Sequence, residues 1–267
     1  MDFAIISKRF HSLITRLIHR RLLQASSLPD KCLIFECYHP SAKISTPPLS
    51  CEYIGNKSAK DDAKPNDEGE TLSSLHKIYS SFRLAINEDR IRRRRARPDA
   101  DIDDTATEDV YLDEGELFSQ LCAVTYVAKR GPRPGLFLSH LNIGDGVIRV
   151  WRDWLAQLAI DSTASESWSV DDSAILWADA AKGVGVRFKV TAAPSERMPL
   201  ISGPDDHPPV AYTLQYEGMS PMFKNMYELD LQLSELLIRT TKLLLAVEKS
   251  AVLEISHSGK AVIIASM

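Results

Sequence analysis

The chain has 267 residues, 44% of them hydrophobic and 25% charged, with a formal net charge of −4. That apolar content suffices for one large domain or two modest ones and excludes a chain disordered throughout. The slight acidic balance argues against a dedicated nucleic-acid binder, which carries a dominant basic field. No apolar run approaches the roughly 18–20 residues that span a bilayer, so no membrane association is expected.

The N-terminal segment predicts a helix. Phe3, Ile6, Phe10, Leu13, Leu17 and Ile18 recur at three-, four- and seven-residue steps, while Lys8, Arg9, Arg16, Arg20 and Arg21 fill the remaining surface. Residues 1–27 hold five Lys or Arg against one acid, Asp2, a local charge of +4. A helix this short must pack its apolar stripe on something. The segment lacks the apolar region and cleavage site of a secretory signal; a mitochondrial presequence and an ordinary packing helix both fit its basic, amphipathic character. Residues 7–13, Ser-Lys-Arg-Phe-His-Ser-Leu, resemble the closing half of an F-box, whose pattern runs D-L-L-x-L-x-x-V-S-K-R-F-x-x-L. The resemblance spans about residues 1–23 and does not include the box's opening L-P-x-E-I/L-L helix. It implies a substrate receptor that docks on a Skp-type adaptor of a cullin–RING ubiquitin ligase, with Ile5, Ile6, Phe10 and Leu13 at the adaptor contact.

Leu28, Pro29 and Asp30 break the helical pattern, and Cys32–Tyr38 reads as a strand stopped by His39 and Pro40. A second short strand is expected at 50–54, ended by Gly55 and Asn56. Residues 56–70 carry mixed charge and read as a solvated loop. Helical spacing returns over 71–86 through Leu72, Leu75, Ile78, Tyr79, Phe82 and Ile86. Residues 87–109 form a polyampholyte tract with too little apolar surface to order itself. Within it, Arg92, Arg93, Arg94 and Arg95 match a nuclear localisation signal. The nearby Asp99, Asp101, Asp103 and Asp104 offset that field within a Debye length of ~8–10 Å. Cys32, Cys37, Cys51 and Cys122 read as reduced, buried thiols; a zinc site of Cys32, Cys37, Cys51 and His39 would lack the paired knuckles that orient thiolates.

From Val110 onward the character is β. Val184, Val186, Phe188 and Val190 alternate with polar or small residues, as do Val210, Tyr212, Leu214 and Tyr216. Further strands are expected at 117–128, 136–142, 147–154, 175–178, 236–247, 252–256 and 261–265. Gly131-Pro132, Pro134-Gly135, Gly144-Asp145-Gly146 and Lys182-Gly183 punctuate them as turns. Residues 218–235, with three Met and Pro221, read either as a loop with one amphipathic turn or as an inserted segment. Many short strands with regular turns favour an antiparallel sandwich or open barrel. Segments 33–40 (LIFECYHP), 117–122 (LFSQLC), 133–139 (RPGLFLS), 150–155 (VWRDWL) and 243–248 (LLLAVE) are similar to those of fungal F-box proteins. That likeness implies an F-box followed by a β-rich target-recognition domain.

No motif announces catalysis. The frame G-x4-G-K-[ST] of a P-loop is missing around Gly144, as are G-x-S-x-G and H-E-x-x-H. A hydrolase or transferase centre would have to gather His39, Ser139, His140, Asp145 or Asp153. Trp151, Arg152 and Trp154 are the candidate target-binding residues. On a strand over 147–154 the two Trp face opposite sides, and an exposed Trp flanked by Arg has the composition of a binding hot spot. The expected fold is α+β: an N-terminal helix over 1–27, first strands in 28–55, a charged linker with a helix in 56–109, and a mainly antiparallel β-sandwich-like domain over 110–267. The expected function is a non-catalytic F-box-type receptor, with no cofactor, acting in the cytoplasm or nucleus. The alternative is a stand-alone β-sandwich module that recognises a protein, peptide or carbohydrate.

Overall fold

The helical periodicity at the N-terminus is realised as α1 (Asp2–Ser26) in a computed structural model. The structure describes residues 2–28, 30–42, 48–58, 72–86, 107–132, 137–160, 174–193, 209–216 and 234–256. Thr15 and Ser26 donate their hydroxyls back to the carbonyls of His11 and Leu22, at 2.8 and 2.9 Å, so neither buried side chain lacks a partner. Leu28, at φ 47°, closes the helix in the left-handed conformation, its N–H donating to the Ala25 carbonyl at 3.1 Å.

The strands are β1 (Cys32–Tyr38), β2 (Leu49–Ser58), β3 (Ile78–Ile86), β4 (Thr107–Leu112), β5 (Phe118–Arg130), β6 (Phe137–Trp151), β7 (Ile175–Trp177), β8 (Val184–Arg187), β9 (Lys189–Ala193), β10 (Val210–Gln215) and β11 (Glu235–Arg239). A one-turn helix α2 (Leu72–Leu75) precedes β3, α3 (Arg152–Ile160) follows β6, and α4 (Thr240–Ser256) follows β11. Eight strands make one antiparallel sheet in the order β6-β5-β1-β2-β3-β11-β8-β7, and β4-β10-β9 make a smaller one. The mainly antiparallel α+β expectation is met, and the large sheet takes the open-barrel form.

The large sheet curls until its two edge strands meet. Val184 Cγ2 lies 3.1 Å from where a Cβ on Gly144 would sit, and a Cβ on Gly146 would run into the Ala178 carbonyl. Glycine is needed here for close approach of backbone. α4 touches β5 and β6 near one edge and β3 and β11 beyond the middle, which is possible only from inside the curl. Its Leu243 and Ala246 join Leu33, Phe35, Phe82, Leu84, Leu121 and Ile238 in the main core. Val110, Leu112, Val190 and Leu214 of the small sheet belong to that same cluster. Tyr216 seals the junction, with its ring edge-on to Phe188 at 5.1 Å and its hydroxyl donating to the Cys37 carbonyl at 3.3 Å.

Several expected elements change type. Residues 78–86 are strand β3, and helix within 71–86 is confined to the single turn α2. Strand β2 runs on to Ser58 through Gly55 and Asn56, with a register shift between Tyr53 and Gly55. The two strands expected at 136–142 and 147–154 are one, β6, and the Gly144-Asp145-Gly146 turn is part of it; the register shifts just before it, where Ile143 of β6 has no partner between Tyr126↔Asn142 and Thr125↔Gly144. The alternating run from Val184 to Val190 divides between the two sheets at Phe188. The strand expected over 236–247 stops at Arg239, and 252–256 belongs to helix α4. Residues 59–71, 261–265 and 218–233 lie outside the described residues.

The β7–β8 turn is clamped onto α4. Asp179 accepts from the Gly183 N–H at 2.6 Å and from Lys242 Nζ at 2.9 Å. Burial opposes ionisation there, yet the Gly183 N–H, the Lys242 ammonium and Arg239 together hold the Asp179 carboxyl below its ordinary value. A depressed carboxylate stabilises the fold above its unfolded pKa of ~4 and loses that contribution as pH falls through the folded value. The pair is partly exposed, so the wild-type advantage over Asp179→Asn is expected to be about 1 kcal/mol at neutral pH. Urea denaturation at a series of pH values should show that advantage shrinking in acid. For the sheet closure, Gly146→Ala is expected to lower stability by about 1–3 kcal/mol. Gly55→Ala, where a Cβ meets nothing within 4 Å, should stay within about 0.5 kcal/mol in the same assay.

Candidate interaction surfaces

The first surface is the N-terminal half of α1. Phe10, Leu13 and Leu17, spaced three and four apart, are 63%, 63% and 58% exposed. The far half of the same helix is docked, with Leu22, Ala25 and Ser26 buried. Two contacts fix it there: the Ser26 hydroxyl meets that of Ser80 at 2.9 Å, which in turn meets Thr240 at 2.8 Å, and Arg21 pairs with Glu248. Ser26 near Thr240 and Arg21 near Glu248 make α1 and α4 antiparallel, so exposed Val252 and Leu253 extend the apolar surface toward Leu17. Lys8, Arg9, Arg16 and Arg20 are exposed around the stripe. Phe10 and Leu13, expected at an adaptor contact, therefore face solvent. Ile5 and Ile6 lie on α1, and their side chains are outside the described residues.

The second surface sits where β5 begins and β6 ends. Phe118 is paired across the ladder with Trp151, their ring centroids 5.2 Å apart, and the Arg149 guanidinium lies 5.2 Å from the Phe118 centroid. Trp151 is 48% exposed, and Val147, on the same face of β6, is exposed with it. Tyr111 and Leu117, 68% and 52% exposed, flank an adjoining groove of about 400 Å³ whose floor includes His39, Pro40 and Phe118.

Of the three residues expected to bind a target, only Trp151 faces out. The reason is a change of element: the strand ends at Trp151 and helix α3 starts at Arg152. Arg152 turns inward, donating from Nε to the Glu116 carbonyl and from a terminal nitrogen to that of Asp113, both at 2.8 Å. Its backbone N–H holds the Leu117 carbonyl at 2.9 Å. Trp154 packs against the core. Sequence reasoning missed Tyr111, Leu117, Phe118 and Arg149. Tyr111 carries a readable signal, since the alternation with Val110 and Leu112 buried leaves it outward.

The remaining chemical groups are dispersed. Ser139 is buried, its hydroxyl 3.3 Å from that of Ser250, whereas His140 lies on the opposite face of β6 against the Tyr126 ring. The Tyr126 hydroxyl donates to Glu36 at 3.0 Å. Burial pushes the His140 pKa down, with Glu36 opposing the shift. His39 contacts Ser41 at 2.6 Å, Asp145 is exposed on β6, and Asp153 sits in the first turn of α3. These groups are not gathered into one centre. A cleft of about 400 Å³ near the end of α1 is lined by Leu28, Lys31, Cys32, Cys51, Tyr53 and Arg130. Burial raises the Cys32 and Cys51 thiols and pushes Cys37 up to about 12, so all three are protonated at neutral pH and poor nucleophiles. Cys37 packs in the core, and Cys32 turns to the other face of β1. Among the described residues no group of three His, Cys, Asp or Glu is placed to hold a metal ion, and no helix is long and apolar enough to cross a membrane. Arg92, Arg93, Arg94 and Arg95 lie outside the described residues.

Comparison with family models, curated proteins and solved structures finds no match for the chain. Arg152 and Trp151 separate in their expected effects. Arg152→Met removes two charge-assisted hydrogen bonds that hold the 113–117 turn and is expected to cost about 2–4 kcal/mol in chemical denaturation. Trp151→Ala, at a half-exposed site, should cost no more than about 1 kcal/mol.

Proposed function

We propose that the chain is a non-catalytic substrate receptor of the F-box type, linking a target protein to a cullin–RING ubiquitin ligase through a Skp-type adaptor. The observation that carries this reading is the Phe10, Leu13 and Leu17 stripe, exposed on a helix whose other half is firmly docked. It falls within the segment whose Ser-Lys-Arg-Phe-His-Ser-Leu wording resembles an F-box. Large apolar side chains at this spacing and exposure are the anchors of a helix-mediated contact. Each stabilises a complex by roughly 1.5–3 kcal/mol when buried, before the cost of association. The patch at Trp151 is the matching surface for the target. Such a receptor raises the local concentration of its target beside a ubiquitin-loaded partner and breaks no bond itself. Its setting is the cytoplasm or nucleus, where the Arg92 to Arg95 run would serve import. A stand-alone binding module is the second reading, favoured by the Trp151 patch, which needs no ligase to be useful.

The test is a pull-down of residues 1–267 on a purified Skp-type adaptor, with Phe10→Asp alongside. Wild type is expected to be captured, and Phe10→Asp to lose at least about tenfold in capture while unfolding within about 0.5 kcal/mol of wild type. Folded wild type that is not captured would remove the receptor reading and leave the binding module.

A further inference from the structure

We infer that the Trp151 surface binds a linear basic segment of its partner, Lys or Arg residues flanking one large apolar side chain. This deepens the target-binding half of the proposed function and rests on that reading, but it uses a surface remote from the adaptor stripe. Rigidity, shape and charge argue for it. The aromatic groups are held rigidly: Phe118 and Trp151 by the β5–β6 ladder, and the 113–117 turn by Arg152. Preorganised aromatic side chains bind with little loss of conformational freedom. The groove beside them, about 400 Å³, lies at the small end of the ~300–1,000 Å³ range of ligand pockets and suits one anchoring side chain.

Charge then selects the partner. Asp113, Glu114 and Glu116 are exposed on the turn that forms one rim, and Asp153, two residues after Trp151 in the chain, is exposed on the first turn of α3. The Arg149 guanidinium on this surface already lies on the Phe118 ring. Glu116 also accepts from the Asp113 N–H at 2.9 Å, so its charge is fixed at the rim. A basic segment gains from these carboxylates and from cation–π contact with the exposed faces of Tyr111 and Trp151. Phosphate backbones and acidic peptides are repelled by the same groups.

The probe is a fluorescein-labelled 12-residue peptide carrying Lys on both sides of a central Leu, with a counterpart in which Glu replaces every Lys. Anisotropy titration of the full chain should show the Lys peptide binding at least about tenfold more tightly than the Glu peptide, with affinity falling as salt rises. Trp151→Ala and, from a different strand, Tyr111→Ala should each weaken it about tenfold. The double variant Glu114→Gln, Glu116→Gln should flatten the salt dependence, and Phe10→Asp should change nothing. Lack of saturation by about 1 mM peptide, equal binding of both peptides, or binding that survives Trp151→Ala and Tyr111→Ala would each overturn the inference. Sensitivity to Phe10→Asp instead would place the peptide on α1 and likewise overturn it. Adaptor capture is read separately, so a failure here leaves the adaptor result standing.

Discussion

A strongly curled antiparallel sheet has a concave side that must be filled, and in this molecule α4 fills it. Strands at opposite ends of the sheet order contribute to one cluster, and Leu243 and Ala246 of α4 are part of it. Gly144 and Gly146 permit the curl by letting β6 approach Ala178 and Val184 without a side chain in the way. Once α4 is seated, its outer side offers α1 a place to dock. The buried hydroxyl chain from Ser26 through Ser80 to Thr240 ties α1, sheet and α4 at one point. Such a chain is directional, and each buried hydroxyl would be costly without its partner, so it also fixes the angle of α1. Burial along α1 reaches back from Ser26 to Thr15, and Phe10 and Leu13 beyond it stand in solvent.

The same filled sheet explains which elements were legible in the sequence. β5 and β10 were readable because their alternation matches a sheet with one face more open than the other, and β1, buried on both faces, because prolines bracket a short run rich in apolar residues. β3 was not. Phe82 and Leu84 face the main core, while Tyr79 on the other face packs with Ile175, Leu237 and Trp177. A strand covered on both faces loses its period of two, and its apolar residues then happened to fall at helical steps. Ser80 and Ser81 sit in its middle as buried polar residues, satisfied by Thr240 and Glu235, partners far away in sequence. The passage from β11 into α4 failed for a related reason. A Leu-rich run carries no turn residue at Arg239, and only the spacing of Leu243, Ala246 and Ser250 marks the helix. At Trp151 the strand periodicity ends: Trp151 faces out, and Trp154, on α3, packs against the core. Arg152 was misread because an Arg beside a Trp resembles a contact residue in sequence, and its carbonyl partners, Asp113 and Glu116, lie over thirty residues back.

The two candidate surfaces stand in a simple relation through β1. α1 enters the sheet at Cys32, whereas His39, just past the other end of β1, lines the groove beside Tyr111 and Phe118. At ~3.3 Å per residue, seven residues of extended chain place roughly 20 Å of strand between those ends. β1 is hydrogen-bonded on both sides, to β2 and to β5, so it is a rigid spacer with no hinge of its own. Binding at one end therefore has no soft element through which to alter the other, and substitutions on the two surfaces should act additively. On the proposed receptor reading, a partner on α1 and a segment at Trp151 would occupy different parts of the molecule, joined by a strand paired on both sides.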